Sequence, residues 1–295
     1  MKISKSLKAK MLVRFLVLIF VVILINGTIG AIFSIISATS TLKKTMSQTA
    51  LVASSQVQNR LEKTQTLIRE FGLSNDLAPD KTAESKLAYL GSKANLYNLI
   101  EYNFTSVDGI NSDGKDVSSN EWFTRALAGE AFIDTPAMSD DGKFLMYISA
   151  PICDATNNKA VSGVVYVAVD ASFLSDITNK IQIGELGHAF IMDHEGTFIA
   201  HKDYSKVTAQ ENDIIAAQSN PALKERAELE EKALNLAYGE SMYGMYMDGI
   251  DRKSVSMARI EDTEDWVIGI SADQNEFIAQ TVITSLIVTA VVALV

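Results

Sequence analysis

The sequence contains one cysteine, 4 prolines and 3 histidines in 295 residues. The single cysteine, Cys153, excludes a disulfide within the chain, and we interpret it as a small core residue. The fold must therefore depend on an apolar core, for which a hydrophobic content of 47% is sufficient.

The three histidines lie six and seven residues apart, at His188, His194 and His201. In a hairpin that turns near Glu195 and Gly196, His188 and His201 would face each other across the strands, whereas His194 would lie in the turn. A structural zinc site needs four converging ligands, and no fourth ligand is evident. We therefore expect no metal site and no cofactor, and we assign this hairpin a structural role.

Sequence motifs of common hydrolytic centres are also missing. There is no Gly-x-Ser-x-Gly elbow, no His-Glu-x-x-His helix, and no cysteine and histidine in an arrangement that suggests a nucleophile and its base. The sequence predicts that the chain is not an enzyme.

Charge is absent from two long stretches, residues 15 to 36 and residues 277 to 295. A helix rises about 1.5 Å per residue, so the first stretch can cross a hydrocarbon core of about 30 Å, and it is too long for the apolar part of a signal peptide. Five basic residues and no acidic one lie in residues 1 to 14, which favours a cytoplasmic N-terminus. We predict a multi-pass protein of the cell membrane with two transmembrane helices, the second incomplete, and we expect the natural protein to continue beyond it.

Basic residues are scarce between the two apolar stretches. Residues 39 to 276 hold 36 acidic residues and 21 basic ones, a net charge of −15. Because phosphate recognition needs a basic surface, nucleic acid is excluded as a partner. We expect this acidic part to lie outside the cell or in a periplasm, with the lipid bilayer as a partner of the two spans alone.

A helical pattern follows the first apolar stretch without an interrupting Pro or Gly. Apolar and small residues recur every three or four positions in residues 41 to 71, which predicts one long amphipathic stalk helix over residues 37 to 74. The side chains predicted to face the core are Leu42, Met46, Ala50, Ala53, Val57, Leu61, Thr64, Ile68 and Phe71.

The rest of the acidic region alternates between helical and strand patterns. A second helix is predicted over residues 82 to 100, with Thr82 or Asp80 as its cap, and a short helix in "SNEWFTRALAGE" is predicted to end at Gly129. Hairpin patterns follow, and a second cycle of the same order begins with the hairpin "HAFIMDHEGTFIAHKD". These patterns predict an α+β fold with two stacked modules of antiparallel sheet on the stalk, flanked by the two transmembrane helices.

The order of "NEWFTRALAGEAFID", "VSGVVYVAVD", "GELGHAFIMDHEGTFIAH" and "WVIGISAD" between two apolar stretches resembles the double Cache extracellular sensor domain. The resemblance is strongest to the sensor region of bacterial methyl-accepting chemotaxis receptors and covers essentially the whole chain. It implies two modules of PAS-like fold, a membrane-distal one over residues 75 to 178 and a membrane-proximal one over residues 179 to 270. It also implies that a small ligand binds in the distal module.

Residue types in the distal stretch fit a pocket for a small polar metabolite, which needs apolar walls and a few polar groups that fix orientation. The alternatives are that the aromatic residues are core, that the arginine is an exposed surface residue, and that the last aspartate only caps the next helix. The candidate ligand-binding residues are Trp122, Phe123, Arg125, Asp134, Tyr147, Ser149, Tyr166 and Asp170.

The ligand class stays open. Amino-acid-binding members of the family carry Arg two positions before this Trp and Tyr directly after it, where this chain has Asn120 and Phe123. That change removes the bidentate clamp expected for an α-carboxylate. A carboxylate, an amine, an amino acid or a nucleobase all remain candidate ligands.

The resemblance implies the sensor region of a chemoreceptor that signals through the second transmembrane helix. The sensor region of a membrane histidine kinase or of a diguanylate cyclase is the nearest alternative, and an adhesion module without a ligand is a third. A homodimer is predicted from small residues on the stalk, although the same stripe could instead pack on the chain's own modules. The residues of this stripe are Ala50, Ala53, Ser54 and Val57.

Overall fold

The computed structural model describes residues 7–139, 141–153 and 160–294 of the chain. The helices in these ranges are α1 Leu7–Gly72, α2 Ala83–Tyr97, α3 Glu121–Leu127, α4 Phe173–Thr178, α5 Tyr204–Thr208, α6 Asp213–Ala216, α7 Lys224–Leu234 and α8 Gln274–Leu294. The strands are β1 Glu101–Thr105, β2 Phe132–Ile133, β3 Ala137–Met138, β4 Phe144–Cys153, β5 Val161–Asp170, β6 His188–Met192, β7 Phe198–His201, β8 Ser241–Asp248, β9 Asp251–Arg259 and β10 Val267–Asp273. The predicted α+β class is confirmed, with its long N-terminal helix and two antiparallel sheets.

Helix α1 is continuous over 66 residues, through the charge-free stretch and the whole of the predicted stalk. Its predicted inward face is confirmed at eight of the nine positions, which are buried, whereas Thr64 is half-buried. Among the described residues, α1 is the one helix long and apolar enough to cross a membrane, with a mean hydropathy of 2.7 in its most apolar window. The predicted second span is helical in α8, but the described residues give no second candidate of this kind.

The first sheet has the strand order β1-β5-β4-β2, and β3 also pairs with β4. Its long hairpin of β4 and β5 pairs Tyr147 with Ala168 and Ser149 with Tyr166. One face of this sheet packs on α1, and the other is covered by α3. The predicted helix before the sheet is present as α2, and its cap is Thr82, whose side chain accepts a hydrogen bond from the Ser85 amide at 3.3 Å.

The second sheet has the strand order β7-β6-β10-β9-β8. The hairpin predicted around the histidines is confirmed as β6 and β7. One face of the sheet packs on α1, and the other face packs on α7. Asp262 and Asp265 adopt positive φ angles of 59° and 58° in the turn before β10, a conformation that Asp tolerates better than most residues.

Contacts along α1 fix the order of the two sheets relative to its charge-free segment. The side chain of Ser54 donates a hydrogen bond to the Arg259 carbonyl at 2.7 Å, and Gln65 donates to the Ala131 carbonyl at 2.6 Å. Residues nearer the apolar half of α1 therefore hold the second sheet, and residues nearer its C-terminus hold the first. The first sheet is consequently the one farther from the charge-free segment.

The stripe of small residues on the stalk packs within its own chain. Ala50, Ala53 and Val57 are buried in the core shared with the second sheet, and Ser54 is bonded to Arg259. The sequence analysis gave two roles for this stripe, a dimer contact or packing on the chain's own modules, and the structure shows the second. A homodimer would need another surface.

Candidate ligand-binding site

The candidate site lies on the face of the first sheet that α1 does not cover. The register places Asn103 beside Tyr166, Tyr166 beside Ser149, and Ser149 beside Phe132, in one row across four strands. Since successive residues of a strand point to opposite faces, the next row on this face runs from Glu101 through Ala168 to Tyr147. Helix α3 closes over these two rows.

Three aromatic rings meet between α3 and the sheet. The ring of Trp122 lies 4.3 Å from that of Tyr166 and 5.9 Å from that of Tyr147, the latter pair being stacked with an angle of 12° between planes. The side chain of Ser149 donates a hydrogen bond to the Trp122 carbonyl at 2.6 Å, which fixes α3 to β4. Phe123 packs edge to face against Trp122. The structure thus brings together five of the eight residues proposed from the sequence.

Polar groups surround the rings. The Tyr147 hydroxyl donates a hydrogen bond to Glu101 Oε2 at 2.9 Å, across the small side chain of Ala168. On the other side, the Asn111 amide donates to the Tyr166 hydroxyl at 3.0 Å. The residue Asn103 donates to Asp113 at 2.7 Å, next to the same row.

The site presents neutral phenols and carboxylates. Burial raises the pKa of Tyr147 above its ordinary value, and the bonded Glu101 carboxylate adds to this effect. Burial also raises the pKa of Tyr166. Both hydroxyls therefore stay protonated at neutral pH, and their hydrogen-bond partners are the Asn111 amide and the Glu101 carboxylate. Such a surface suits a ligand that carries positive charge.

Arg125 lines a different place, a cleft of about 710 Å³ between the two sheets and α1, and Asp134 directly follows Ile133, which also lines this cleft. The Arg125 guanidinium is exposed and pairs with Glu121 at 3.2 Å and Glu130 at 3.4 Å, so its charge is already balanced on the surface. Asp134 accepts a hydrogen bond from the Thr135 amide, and burial raises its pKa to about 6, with the Glu264 and Glu121 carboxylates adding to the shift.

Asp170 is exposed at the end of β5. Its carboxylate accepts a hydrogen bond from the Ser172 amide at 2.8 Å, just before α4. It also lines a groove with Arg60 and Lys63 of α1. Asp170 therefore closes the turn before α4, but it is not the helix cap, because Ser172 is the N-cap residue of α4.

Glu101, Asn103 and Asn111 were not predicted from the sequence. Glu101 and Asn103 lie on β1, whose pairing with β5 brings them to the site. Asn111 belongs to the turn-rich "NFTSVDGINSDGKDV", which read only as turns. The alternation of polar residues along β1 could have indicated that Glu101 and Asn103 share one face of a strand. Only the register between β1 and β5 shows that this face belongs to the site.

The histidine hairpin lies in the second sheet, and His194 in its turn lines the same cleft as Arg125. The rings of His188 and His201 lie 5.0 Å apart, and His201 Nδ1 accepts a hydrogen bond from the Asp203 amide at 2.9 Å. Over residues 7–139, 141–153 and 160–294, no three His, Cys, Asp or Glu side chains are grouped so as to hold a metal ion. Burial lowers the pKa of both histidines to about 4.

Two antiparallel sheets mounted in sequence on one helix, the first sheet carrying an aromatic cluster under α3, are typical of a sensor domain of the extracellular type. The double Cache model (Cache domain) matches residues 37–281. The chain belongs to the Cache domain family.

Known proteins of this family resemble the chain over its folded part. The methyl-accepting chemotaxis protein McpA of Pseudomonas putida is 26% identical over 190 residues, which are 61% of this chain and 27% of that protein. The ligand-binding domain of the Pseudomonas aeruginosa amino acid chemoreceptor PctB, solved in complex with L-Arg, is 20% identical, with a TM-score of 0.61 over 83% of this chain and 92% of that one.

The extracellular domain of the putative histidine kinase mmHK1S-Z3 has the same fold, with 12% identity and a TM-score of 0.61 over 82% of this chain and 97% of that one. These structural likenesses concern the fold alone. The chain spans only about a quarter of the curated chemoreceptor's length.

Proposed function

We propose that the chain is the sensor region of a transmembrane chemoreceptor and that it binds a small polar metabolite on the outer face of the first sheet. The observation that carries this proposal is the cluster of Trp122, Tyr147 and Tyr166 with the Glu101 carboxylate at its edge. In this proposal, residues 75 to 178 form the membrane-distal module and residues 179 to 270 the membrane-proximal one.

An amine is the ligand class that this site favours. Aromatic faces attract an ammonium group, and a carboxylate can pair with it. Ala168 is small enough for the Tyr147 hydroxyl to reach the Glu101 carboxylate, and an ammonium would take the place of that hydroxyl against the carboxylate and the rings. Arg125 is engaged by Glu121 and Glu130, so the site has no arginine clamp for an α-carboxylate. Amino acids, other carboxylates and nucleobases rank after amines.

Entry of the ligand would be from the side of Glu101, which is exposed. A ligand between Trp122 and Tyr147 must separate rings that now contact each other, and α3 would move with Trp122. The ligand can shift the receptor only by the difference in its affinity for the two arrangements. The ligand would therefore shift the equilibrium between two arrangements of α3 on the first sheet, one with the rings in contact and one with the rings apart.

The proposed route to the membrane runs through β10. The Trp266 indole, directly before β10, donates a hydrogen bond to Thr135 Oγ1 at 3.3 Å, next to the strand that pairs with β4. At its other end, β10 finishes at Asp273, and α8 begins at Gln274 without a linker. We infer that α8 is the second membrane span and that it carries the signal to a cytoplasmic output.

The similarity to the extracellular domain of a putative histidine kinase favours one alternative, in which the same sensor controls a kinase. The two readings share the ligand site and differ only in the cytoplasmic output. The rest of the protein distinguishes them, because a receptor would continue in long heptad helices.

Isothermal titration calorimetry of the whole chain in lipid nanodiscs tests the ligand class. We expect saturable binding of an amine, with Glu101→Gln weakening it by about tenfold, since a charge-assisted hydrogen bond contributes on the order of 1.5 kcal/mol. Glu84→Gln, an exposed carboxylate on α2, is the matched control and should leave the affinity unchanged. Equal affinities in the wild type and Glu101→Gln would contradict the amine assignment.

A further inference from the structure

Two exposed aliphatic side chains lie at loop tips of the second module. Ile250, in the turn between β8 and β9, is 92% exposed, and Leu186, in the loop before β6, is 61% exposed. Single exposed apolar residues are common on protein surfaces and need no explanation by themselves. Leu186 and Ile250, however, both lie next to the first turn of α8, and this shared position suggests a common role.

Both tips are bonded to the first turn of α8. The Glu276 carboxylate accepts hydrogen bonds from the Glu185 amide at 2.7 Å and the Leu186 amide at 3.4 Å. Gly184 has a φ of +70°, and a Cβ atom there would lie 2.5 Å from Glu276 Oε2, so this turn is built closely around the carboxylate. On the other tip, the Asn275 amide donates to Asp251 Oδ1 at 3.3 Å.

The first turn of α8 lies at the level where the apolar part of α1 ends and the apolar part of α8 begins. Glu276 is the last charged residue before the apolar end of α8, and no charge occurs on α1 between Arg14 and Lys43. A groove at this level is lined by Ser34 and Thr41 of α1 and by Phe277 of α8. The two apolar segments therefore meet the folded domain at one level, and the Leu186 and Ile250 tips lie beside that level.

We propose that Leu186 and Ile250 insert into the surface of the lipid bilayer and set the height of the second module above it. This inference rests on the proposed function, in which α1 and α8 both span the membrane. The contact is apolar, because Asp248 and Asp251 offset the basic Arg252 and Lys253 beside Ile250, and Glu185 beside Leu186 would be repelled by anionic lipid. The partner is therefore the acyl-chain boundary of a zwitterionic bilayer.

Site-directed spin labelling of the whole chain tests this contact. In a Cys153→Ser background, Ile250→Cys and Leu186→Cys would each be labelled and reconstituted into phosphatidylcholine vesicles. We expect the ratio of collision rates with oxygen and with a water-soluble nickel complex to be several-fold higher than for the control Ile215→Cys. Ile215 is also 61% exposed, but it lies on α6, at the end of the second sheet where β6 turns into β7.

A label at Val288→Cys, on the apolar part of α8, separates failure of this inference from failure of the proposed function. A membrane-like value at 288 with water-like values at 186 and 250 would overturn the bilayer contact and leave the span intact. A water-like value at 288 would overturn the span, and the contact with it. Replacing a third of the lipid by phosphatidylglycerol should not increase the contact, and tips that reach the bilayer only with anionic lipid would contradict its apolar nature.

Discussion

Ala168 is the smallest side chain in the row that joins Glu101 to Tyr147, and its size allows a phenol on β4 to reach a carboxylate on β1. The aromatic residues of this site could be predicted from the sequence, because aromatic side chains commonly form the walls of ligand pockets. The sequence could not nominate Glu101, because that depends on the register between two strands about 60 residues apart in the chain. Arg125 was nominated for its chemistry, but its neighbours Glu121 and Glu130 hold it on the surface.

Asp134 is a buried carboxyl that favours its protonated form. Its folded pKa of about 6 lies above the ordinary value of 3.8, so its stabilising contribution is complete below pH 3.8 and is lost as the pH rises through 6. We predict that Asp134→Asn, which keeps the acceptor for the Thr135 amide, raises the free energy of unfolding at pH 7.5 by about 1–2 kcal/mol, with allowance for solvent screening. Urea unfolding in mild detergent measures this.

The matched control for Asp134 is Asp108→Asn, an exposed aspartate of the same module. This control should not change stability at either pH, and the advantage of Asp134→Asn should vanish below pH 4. A wild type more stable than Asp134→Asn at pH 7.5 would show that the ionised carboxylate is stabilised in the cleft.

Among the elements, α1 was the most predictable, because its pattern is local and repeats over about nine turns. What the stripe of small residues packs against was not predictable. A small-residue face fits a neighbouring sheet as well as a second helix, and only the tertiary structure shows that the second sheet covers it. The hairpin of β6 and β7 was predictable for a similar reason, since its strands are adjacent and its turn is short.

This hairpin gives the second module a dependence on pH. His188 and His201 have folded pKa values of about 4, below the ordinary 6.5, mainly because of burial. Their contribution to stability is therefore present above pH 6.5 and is lost as the pH falls toward 4. Relative to the wild type, a double variant His188→Gln/His201→Gln should gain about 1–3 kcal/mol between pH 7 and pH 5, measured by urea unfolding.

His194 supplies the comparison for this pair, because its side chain is half exposed in the turn. The substitution His194→Gln should leave the pH dependence as in the wild type. The account of the buried pair would be wrong if the double variant lost stability with falling pH as steeply as the wild type does.

Helix α7 attaches to the second sheet through a buried ionic group. Arg226 lies 2.9 Å from Asp213 and 3.0 Å from Glu230, and both carboxylates are nearly inaccessible. Removing the cation leaves two buried carboxylates without their partner, so we predict that Arg226→Leu costs about 3–5 kcal/mol at pH 8. The loss should be smaller at pH 5, because burial already raises the pKa of Glu230 to about 7.

Arg252→Leu is the control for this prediction, since Arg252 is exposed on β9. Its expected effect is within about 0.5 kcal/mol. Thermal unfolding of both variants at the two pH values provides the comparison. A loss in Arg226→Leu that is no larger than in Arg252→Leu would mean that the buried ionic group does not hold α7.

At the scale of the whole molecule, the proposed ligand site and the proposed second span lie at opposite ends of the folded part. Helix α1 passes both sheets, and β10 joins the cleft between them to α8. A ligand that moves α3 would therefore have two continuous connections to the proposed membrane spans, through α1 and through β10. The general order of these parts followed from the sequence, whereas the hydrogen bond between Trp266 and Thr135 that joins the sheets did not.

The most direct test of the ligand site uses the chain's two tryptophans. In Trp266→Phe, Trp122 is the remaining indole, and the whole chain in nanodiscs would be titrated with the ligand that binds most tightly in calorimetry. The account predicts a saturable change in Trp122 emission and in its quenching by acrylamide, with the same dissociation constant as the calorimetric one. Calorimetric binding without any change in the emission or quenching of Trp122 would place the ligand elsewhere and contradict the central claim.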